Sequence, residues 1–249
     1  MNRSNMNKAN VRISPQGTVL FRTVAFFSRL RLGYLVRRGE NPKVAITLFV
    51  ITTATAALGI ITATAYLAKL PLLYPPLAPS AFILFYTPLA AAASPRSVVL
   101  SHAMGAMLGV LSLMAANLLW PQSELLNPIV MNGQKILVIG VSIAALAAFM
   151  ILLRCVHPPA AATALIAALG YFTSPFQILW LIAAVLLLVL EAFVFIRILG
   201  GIPYPLWKHD QAVMKTHRAL SQGVEAHGGF WEEAISRIYR GDSGTSVNK

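Results

Sequence analysis

Four long apolar stretches constrain the fold of this chain more than any other feature. They run over residues 44–68, about 97–119, about 136–153 and about 176–199. A helix needs roughly 20 apolar residues to cross a hydrocarbon core of ~30 Å, so each stretch is long enough to span a membrane. The whole chain is 57% hydrophobic and 11% charged, with a mean hydropathy of +0.69. These values are typical of a polytopic membrane protein.

The segment from Arg154 to Gly170 interrupts this pattern between the third and fourth stretches. It places an arginine, His157, Pro158 and Pro159 ahead of a run of small residues. Because proline suits the first turn of a helix and breaks its interior, a helix is predicted to begin at about Pro158. From there to Gly170 it would be roughly 20 Å long at ~1.5 Å per residue, too short to span alone. The sequence therefore predicts a half-helix whose N-terminus opens at membrane depth.

A second interruption follows the first stretch. Residues 71–80 contain four prolines, which exclude a helix and favour an extended backbone. After Pro79 a second short apolar helix is predicted, running to about Ala93 with a kink at Pro88. Each half of the chain then continues with a Ser-Pro pair, Ser94-Pro95 or Ser174-Pro175, and a long stretch. Matched interruptions in two halves point to a transporter site between repeats, although coincidental proline placement is the alternative.

The positive charges favour six crossings. With three crossings per half, Arg96, Arg154 and Arg197 fall on the cytoplasmic side, while Lys69 and Lys135 fall outside. Re-entrant short helices would instead move Arg96 and Arg154 outside. We therefore expect an all-α fold of two inverted three-helix repeats, at about 44–119 and 134–199. The short helices would then meet near the midplane, with N-termini near Ser80 and Pro158 forming an anion site.

The ends of the chain are predicted to be cytoplasmic. Residues 1–43 hold nine of the twenty Lys and Arg with a single acid, Glu40, and form either a basic helix on the membrane surface or a solvated arm. No apolar run there suits a signal peptide. Residues 201–249 form a tail. Cys155 is the only cysteine, so an internal disulfide is excluded. A bacterial inner membrane is the expected location.

The segment Arg154-Cys155-Val156-His157-Pro158-Pro159 with the small residues after it resembles the motif of the HPP family of membrane proteins. The similarity extends to Pro79-Ser80-Ala81 and to Ser94-Pro95-Arg96 followed by Ser101-His102, and it covers about residues 42–200. The resemblance implies transport, because plastid and cyanobacterial members are associated with nitrite. Many bacterial members have no assigned substrate.

Candidate site residues follow from these patterns. An anion would be bound where the short helices meet, by Pro79, Ser80, Ala81, His157, Pro158, Pro159, Ala160 and Thr163. Ser80 and Thr163 could instead bond only their own helices, and His157 could merely cap its helix. Arg96, His102 and Arg154 are candidates for a charge funnel or gate, although both arginines also obey the positive-inside rule.

Glu191 is the only acid predicted inside a span. His157 and Glu191 are therefore the candidates for proton coupling, with a buried ion pair between Glu191 and Arg154 or Arg197 as the alternative. Gly105 and Gly109 form a Gly-x-x-x-Gly pattern, which favours close helix packing.

The function expected is transport of a small inorganic anion, nitrite first. A non-transporting membrane sensor or subunit is the alternative. No metal site, cofactor site or nucleophile and base pair is indicated by spacing, so neither an enzyme nor a cofactor is predicted. The basic N-terminal segment is explained by topology rather than by nucleic acid. The expected partners are the lipid bilayer and the anion, and a homo-oligomer stays open.

Overall fold

The structure, a computed structural model, describes residues 42–172 and 174–223. All regular elements in these ranges are helical, which confirms the all-α prediction. Residues 1–41 of the arm predicted for residues 1–43 lie outside the described residues, as do residues 224–249 of the tail. In chain order the helices are α1 Pro42–Ala68, α2 Leu77–Tyr86, α3 Pro95–Leu119, α4 Gly133–Leu152, α5 Ala160–Ala168, α6 Pro175–Ala192, α7 Gln211–Thr216 and α8 Arg218–Ser221, with 3-10 turns at Ala91–Ala93 and Pro121–Ser123 and a π-helix at Phe193–Leu199.

Helices α1, α3, α4 and α6, the last extended by the π-helix, are long and apolar enough to cross a membrane. Both α3 and α6 begin at a predicted Ser-Pro pair. In each pair the serine hydroxyl accepts a backbone N–H as the N-cap and the proline starts the helix, where its missing N–H is not needed.

The boundaries of the short helices differ from the prediction. Helix α2 begins at Leu77, because Pro79 is tolerated inside the first turn. It ends at Tyr86 instead of near Ala93, because Thr87 precedes a proline and leaves the helical region. Helix α5 begins at Ala160 with Pro159 as its N-cap. The two helices have 10 and 9 residues, so neither is long enough to cross a membrane alone.

Two basic residues terminate the long helices that precede these breaks. Lys69 after α1 and Arg154 after α4 adopt the left-handed conformation, with φ of 55° and 50°. The next N–H then bonds five residues back, from Leu70 to Ala65 and from Cys155 to Met150, at 3.0 Å in both cases. This is the Schellman ending, and it turns the chain from each long helix into its proline segment.

Hydrogen bonds define one end of the helix bundle. Arg96, at the start of α3, donates to the carbonyls of Leu153 and Arg154 after α4, at 2.8 and 3.0 Å. The Tyr204 hydroxyl, beyond α6, donates to the Ala93 carbonyl at 2.8 Å. The start of α3 and the ends of α4 and α6 therefore lie together, at what we call the Arg96 end.

The opposite end is defined in the same way. The Lys135 ammonium, at the start of α4, donates to the Leu169 carbonyl after α5 at 2.9 Å. The Tyr74 hydroxyl, after α1, donates to the Gln177 carbonyl at the start of α6 at 2.8 Å, and its ring contacts Phe172 with centroids 6.1 Å apart. We call this the Lys135 end.

The chain segments that contain the short helices connect these two ends. Residues 69–94 lead from the Lys135 end to the Arg96 end, and residues 153–174 lead back. Each segment combines extended backbone with one short helix. The tail returns along the Arg96 end, where the N–H of Arg96 donates to the Trp207 carbonyl at 3.0 Å.

Helix packing follows a paired pattern. Helix α1 packs on α2, and α4 packs on α5. Helix α3 packs on α4 and α5, α6 packs on α1 and α2, and α3 also contacts α6. The α3–α5 contact is close, because a Cβ at Gly105 would lie 2.8 Å from the Ala160 carbonyl oxygen and one at Gly109 would lie 2.6 Å from that of Ala164. The close packing predicted for the Gly-x-x-x-Gly pattern is confirmed.

Candidate functional site

Four polar side chains form a buried cluster where the two short segments meet. Ser80 lies on α2, His102 on α3, His157 just before α5 and Thr163 on α5, and none of the four is exposed. His102 is seven residues into α3, or ~10 Å along that helix from the Arg96 end. The cluster is therefore at membrane depth.

Ser80 links the two histidines. Its hydroxyl oxygen is 2.9 Å from Nε2 of His102 and 3.0 Å from Nε2 of His157. Nδ1 of His102 is 2.7 Å from the Thr163 hydroxyl, and Nδ1 of His157 is 2.7 Å from the Ala92 carbonyl oxygen. A continuous chain of hydrogen bonds therefore runs from Thr163 to Ala92 through both imidazole rings.

The direction of each hydrogen bond follows from the donors and acceptors present. Because the Ala92 carbonyl can only accept, Nδ1 of His157 carries a hydrogen, and a neutral His157 accepts the Ser80 proton at Nε2. His102 then donates from Nε2 to Ser80 and accepts at Nδ1 from the Thr163 hydroxyl. All four bonds are satisfied with both rings neutral.

Local backbone structure places these groups. Ser80 belongs to the first turn of α2, where its hydroxyl is also 2.8 Å from the Pro76 carbonyl oxygen. His157 lies three residues after Arg154, which forms the Schellman turn at the end of α4. The backbone N–H of His157 lies 3.4 Å from the Met150 sulfur. The 3-10 turn at Ala91–Ala93 brings the Ala92 carbonyl to the His157 ring.

The start of α5 does not present free N–H donors in this conformation. The N–H groups of residues 160–162 donate to the carbonyls three residues earlier, at 3.0–3.1 Å. In α2, the N–H of Leu77 donates to the Tyr74 carbonyl at 3.0 Å. The two short segments meet as predicted. The groups that meet are side chains, however, whereas the sequence predicted that the N–H groups at the helix starts would face each other.

The other predicted binding residues are arranged differently. Ala81, Pro159 and Ala160 are buried, and Pro79 and Pro158 are exposed. The three residues predicted to form a charge funnel or gate do not lie together. His102 belongs to the cluster, whereas Arg96 binds the carbonyls after α4. Arg154 is exposed.

Glu191 lies on α6, two residues before the π-helix. It is 6% exposed, and neither carboxylate oxygen has a hydrogen-bond partner among the described residues. The ion pair considered with Arg154 or Arg197 is not found, because Arg154 is exposed and Arg197 donates to the Tyr204 carbonyl at 2.9 Å. A carboxyl group without a partner in an apolar interior is a candidate proton-binding group.

Two supports of the cluster were not predicted from the sequence. One is the carbonyl of Ala92, in a 3-10 turn where the sequence predicts a helix. The other is Tyr204, which is fully buried and holds the neighbouring Ala93 carbonyl. Burial raises the pKa of the Tyr204 phenol, so this hydroxyl remains a donor at neutral pH. The sequence signal available for Tyr204 was an aromatic residue among prolines just beyond the last apolar stretch.

The fold and the cluster define a polytopic helical membrane protein with two interrupted segments that meet around buried polar side chains. The family model described as HPP, transmembrane region, matches residues 39–205. The chain therefore belongs to the HPP family of membrane proteins, as the His157-Pro158-Pro159 motif predicted. Searches of curated proteins and of solved structures gave no match.

Proposed function

We propose that this protein carries a small inorganic anion across the membrane, with nitrite as the first candidate. The observation that carries the proposal is the Ser80 hydroxyl bridging two histidines where the two short segments meet. Buried polar groups at membrane depth are costly and usually functional. Interrupted helices are tolerated in membranes where they line a cavity or a substrate site.

The packing pattern supports two inverted repeats. In each half, the first long helix packs on the short helix of its own half, and the last long helix packs on both elements of the other half. The first long helices also run in opposite directions, because α1 ends at the Lys135 end and α4 ends at the Arg96 end. Such repeats permit alternating access around a site at their interface.

The cluster offers suitable chemistry for a small oxyanion. If α2 and α5 separate, the Ser80 and Thr163 hydroxyls and Nε2–H of His102 become free donors that can replace part of the hydration shell of the anion. The positive end of the α5 dipole lies beside them. Arg96 and Arg154 at the Arg96 end would attract anions toward this opening.

The charge distribution supports one orientation. The Arg96 end carries Arg96, Arg154, Arg197 and the basic residues of the tail as far as residue 223, while Lys69 and Lys135 lie at the other end. By the positive-inside rule the Arg96 end faces the cytoplasm. Both chain termini would then be cytoplasmic, in a bacterial inner membrane.

A non-transporting sensor or subunit is the second candidate. The complete hydrogen bonding of the cluster in this conformation favours it, because a satisfied network can bind a ligand or stabilise the fold without carrying anything. Flux separates the two candidates. A sensor binds an anion without moving it across the membrane.

The deciding experiment reconstitutes the full chain in liposomes. Uptake of nitrite is compared with that of nitrate, formate, bicarbonate and chloride, against protein-free vesicles. Uptake of one anion above the control establishes transport. If folded protein gives no flux of any anion, the sensor or subunit is favoured.

The substitution His157→Ala tests the role of the cluster. It removes one ring from the hydrogen-bond chain and should lower anion uptake at least tenfold, the loss expected for ~1.4 kcal/mol, with membrane insertion retained. His209→Ala, in the tail, is the matched control and should leave uptake unchanged. Normal uptake by the His157 variant would remove this histidine from the mechanism.

A further inference from the structure

We propose that the cluster is a binding site for a single proton, taken up on Nε2 of His157 and accommodated by rotation of the Ser80 hydroxyl. This inference rests on the proposed anion transport for its role in the cell, and it adds the proton as the second substrate of the same site. It is carried by the hydrogen-bond geometry, independently of any assignment of the anion.

The Ser80 oxygen has three partners but only one hydrogen to donate. These partners are Nε2 of His102 at 2.9 Å, Nε2 of His157 at 3.0 Å and the Pro76 carbonyl oxygen at 2.8 Å. A hydroxyl can donate one hydrogen bond and accept two. The hydrogen can therefore point either to His157 or to Pro76, and His102 donates to the oxygen in both arrangements.

Each orientation corresponds to one protonation state of His157. When the ring is neutral, Ser80 donates to its Nε2. When Nε2 carries a proton, the ring donates to Ser80, and the Ser80 hydrogen turns to the Pro76 carbonyl. Nδ1–H of His157 remains on the Ala92 carbonyl in both states. No polar atom of the cluster loses its partner, so one proton can be added without breaking the network.

A second proton, on Nδ1 of His102, cannot be added in the same way. Nδ1 of His102 lies 2.7 Å from the Thr163 hydroxyl, and protonating it would turn Thr163 from donor to acceptor beside a second positive ring. The centroids of the two rings are only 5.1 Å apart, so two imidazolium groups would repel strongly in the low-dielectric interior. The site therefore takes one proton and not two.

The positive charge needs a counter-charge, which an anion can supply. His102 is the titratable group in contact with His157; farther along the packed elements lie Tyr86, Arg96, Lys135, Arg154 and Glu191. Glu191 is the only acid among them. An anion that enters beside the protonated ring would stabilise it, and the bound proton would raise the affinity for the anion by the same factor.

The test observes the histidine nitrogens directly. The chain has five histidines, so a variant carrying His209→Gln, His217→Gln and His227→Gln keeps only the two in the cluster. This protein is labelled with ¹⁵N-histidine, reconstituted in lipid bilayers and titrated toward acid by solid-state NMR, with His102→Gln added to assign the signals. We expect His157 to change from an Nδ1–H tautomer to the doubly protonated ring, while His102 keeps its Nε2–H tautomer.

Two comparisons complete the experiment. Ser80→Ala should decrease the doubly protonated fraction of His157 at a given pH, whereas Ser80→Thr, which keeps the hydroxyl, should retain it. Sodium nitrite should increase that fraction at the same pH. The proposal is overturned if His157 stays singly protonated until the protein unfolds, or if His102 takes the proton. Because the titration needs no anion, a failed flux assay leaves its result unchanged.

Discussion

At the scale of single residues, three basic side chains in the described part of this protein bind backbone carbonyls. Lys135 is fully buried, and its ammonium donates to the carbonyls of Leu125, Asn127 and Leu169. Arg96 and Arg197 likewise donate to carbonyls at the opposite end. Helix C-terminal carbonyls carry partial negative charge, so a cation can be satisfied there without burying a second ion. Lys135 thereby holds the C-terminal end of α5. The N-terminal end of the same helix lies at the histidine cluster.

Lys135→Met tests this role. Methionine fills a similar volume but leaves three carbonyls without their donor, at a cost of about 1–3 kcal/mol for an unsatisfied buried group. The variant should unfold at a lower temperature in detergent than the parent protein. Lys69→Met, at an exposed lysine of the same end, is the control and should change the unfolding temperature little. Equal unfolding temperatures for the two variants would show that the carbonyls find other donors.

At the scale of helices, the two short elements differ in how tightly they are held. Helix α5 packs against the glycine face of α3 at backbone contact distance, and its two ends are tied to the cluster and to Lys135. Helix α2 contributes the Ser80 hydroxyl to the cluster. If α2 separates from the cluster during transport, the contacts of the Ser80 hydroxyl with His102 and His157 are broken, while the close α3–α5 contact can be kept.

Substitutions at glycine test the α3–α5 contact. A Cβ at Gly109 would lie 2.5 Å from the Cβ of Ala167 and 2.6 Å from the Ala164 carbonyl oxygen, so Gly109→Ala must push the helices apart. We expect a loss of about 1–3 kcal/mol, as in overpacked cores. A Cβ at Gly140 on α4 would have no atom within 4 Å. Gly140→Ala should therefore leave the stability unchanged or increase it, because alanine has the higher helix propensity. Thermal unfolding of both variants in the same detergent provides the comparison, and a Gly109 variant as stable as the Gly140 variant would contradict the close packing.

The helices could be predicted from sequence largely because their causes are local. Apolar length and Ser-Pro starts placed α1, α3, α4 and α6 within three residues of their observed beginnings. The choice of Ser80, His157 and Thr163 followed from their positions beside proline breaks. Their mutual contacts, and the Ala92 carbonyl that accepts from His157, depend on how residues 87–94 fold back. That path is set by tertiary packing, which spacing along the chain does not encode.

At the scale of the whole molecule, the asymmetry of charge determines how the site would face the two sides of the membrane. The cluster is ~10 Å along α3 from the Arg96 end, whereas α3 is 25 residues long. The site thus lies closer to the end that carries most of the basic residues. An anion carried as proposed would have the shorter path from that end, which faces the cytoplasm in the proposed orientation.

Cysteine labelling tests this orientation. Cys155 is buried and is the only cysteine, so Cys155→Ala gives a background without thiols. Gln122→Cys places a thiol in the exposed loop at the Lys135 end, and Lys208→Cys places one in the exposed tail at the Arg96 end. In intact spheroplasts a membrane-impermeant maleimide should label the first variant, and it should label the second only after permeabilisation. The reverse pattern would put the Arg96 end outside, and equal labelling of both would indicate mixed insertion. Either result would remove the charge argument for a cytoplasmic opening, because the arginines would then not attract anions from the cytoplasm.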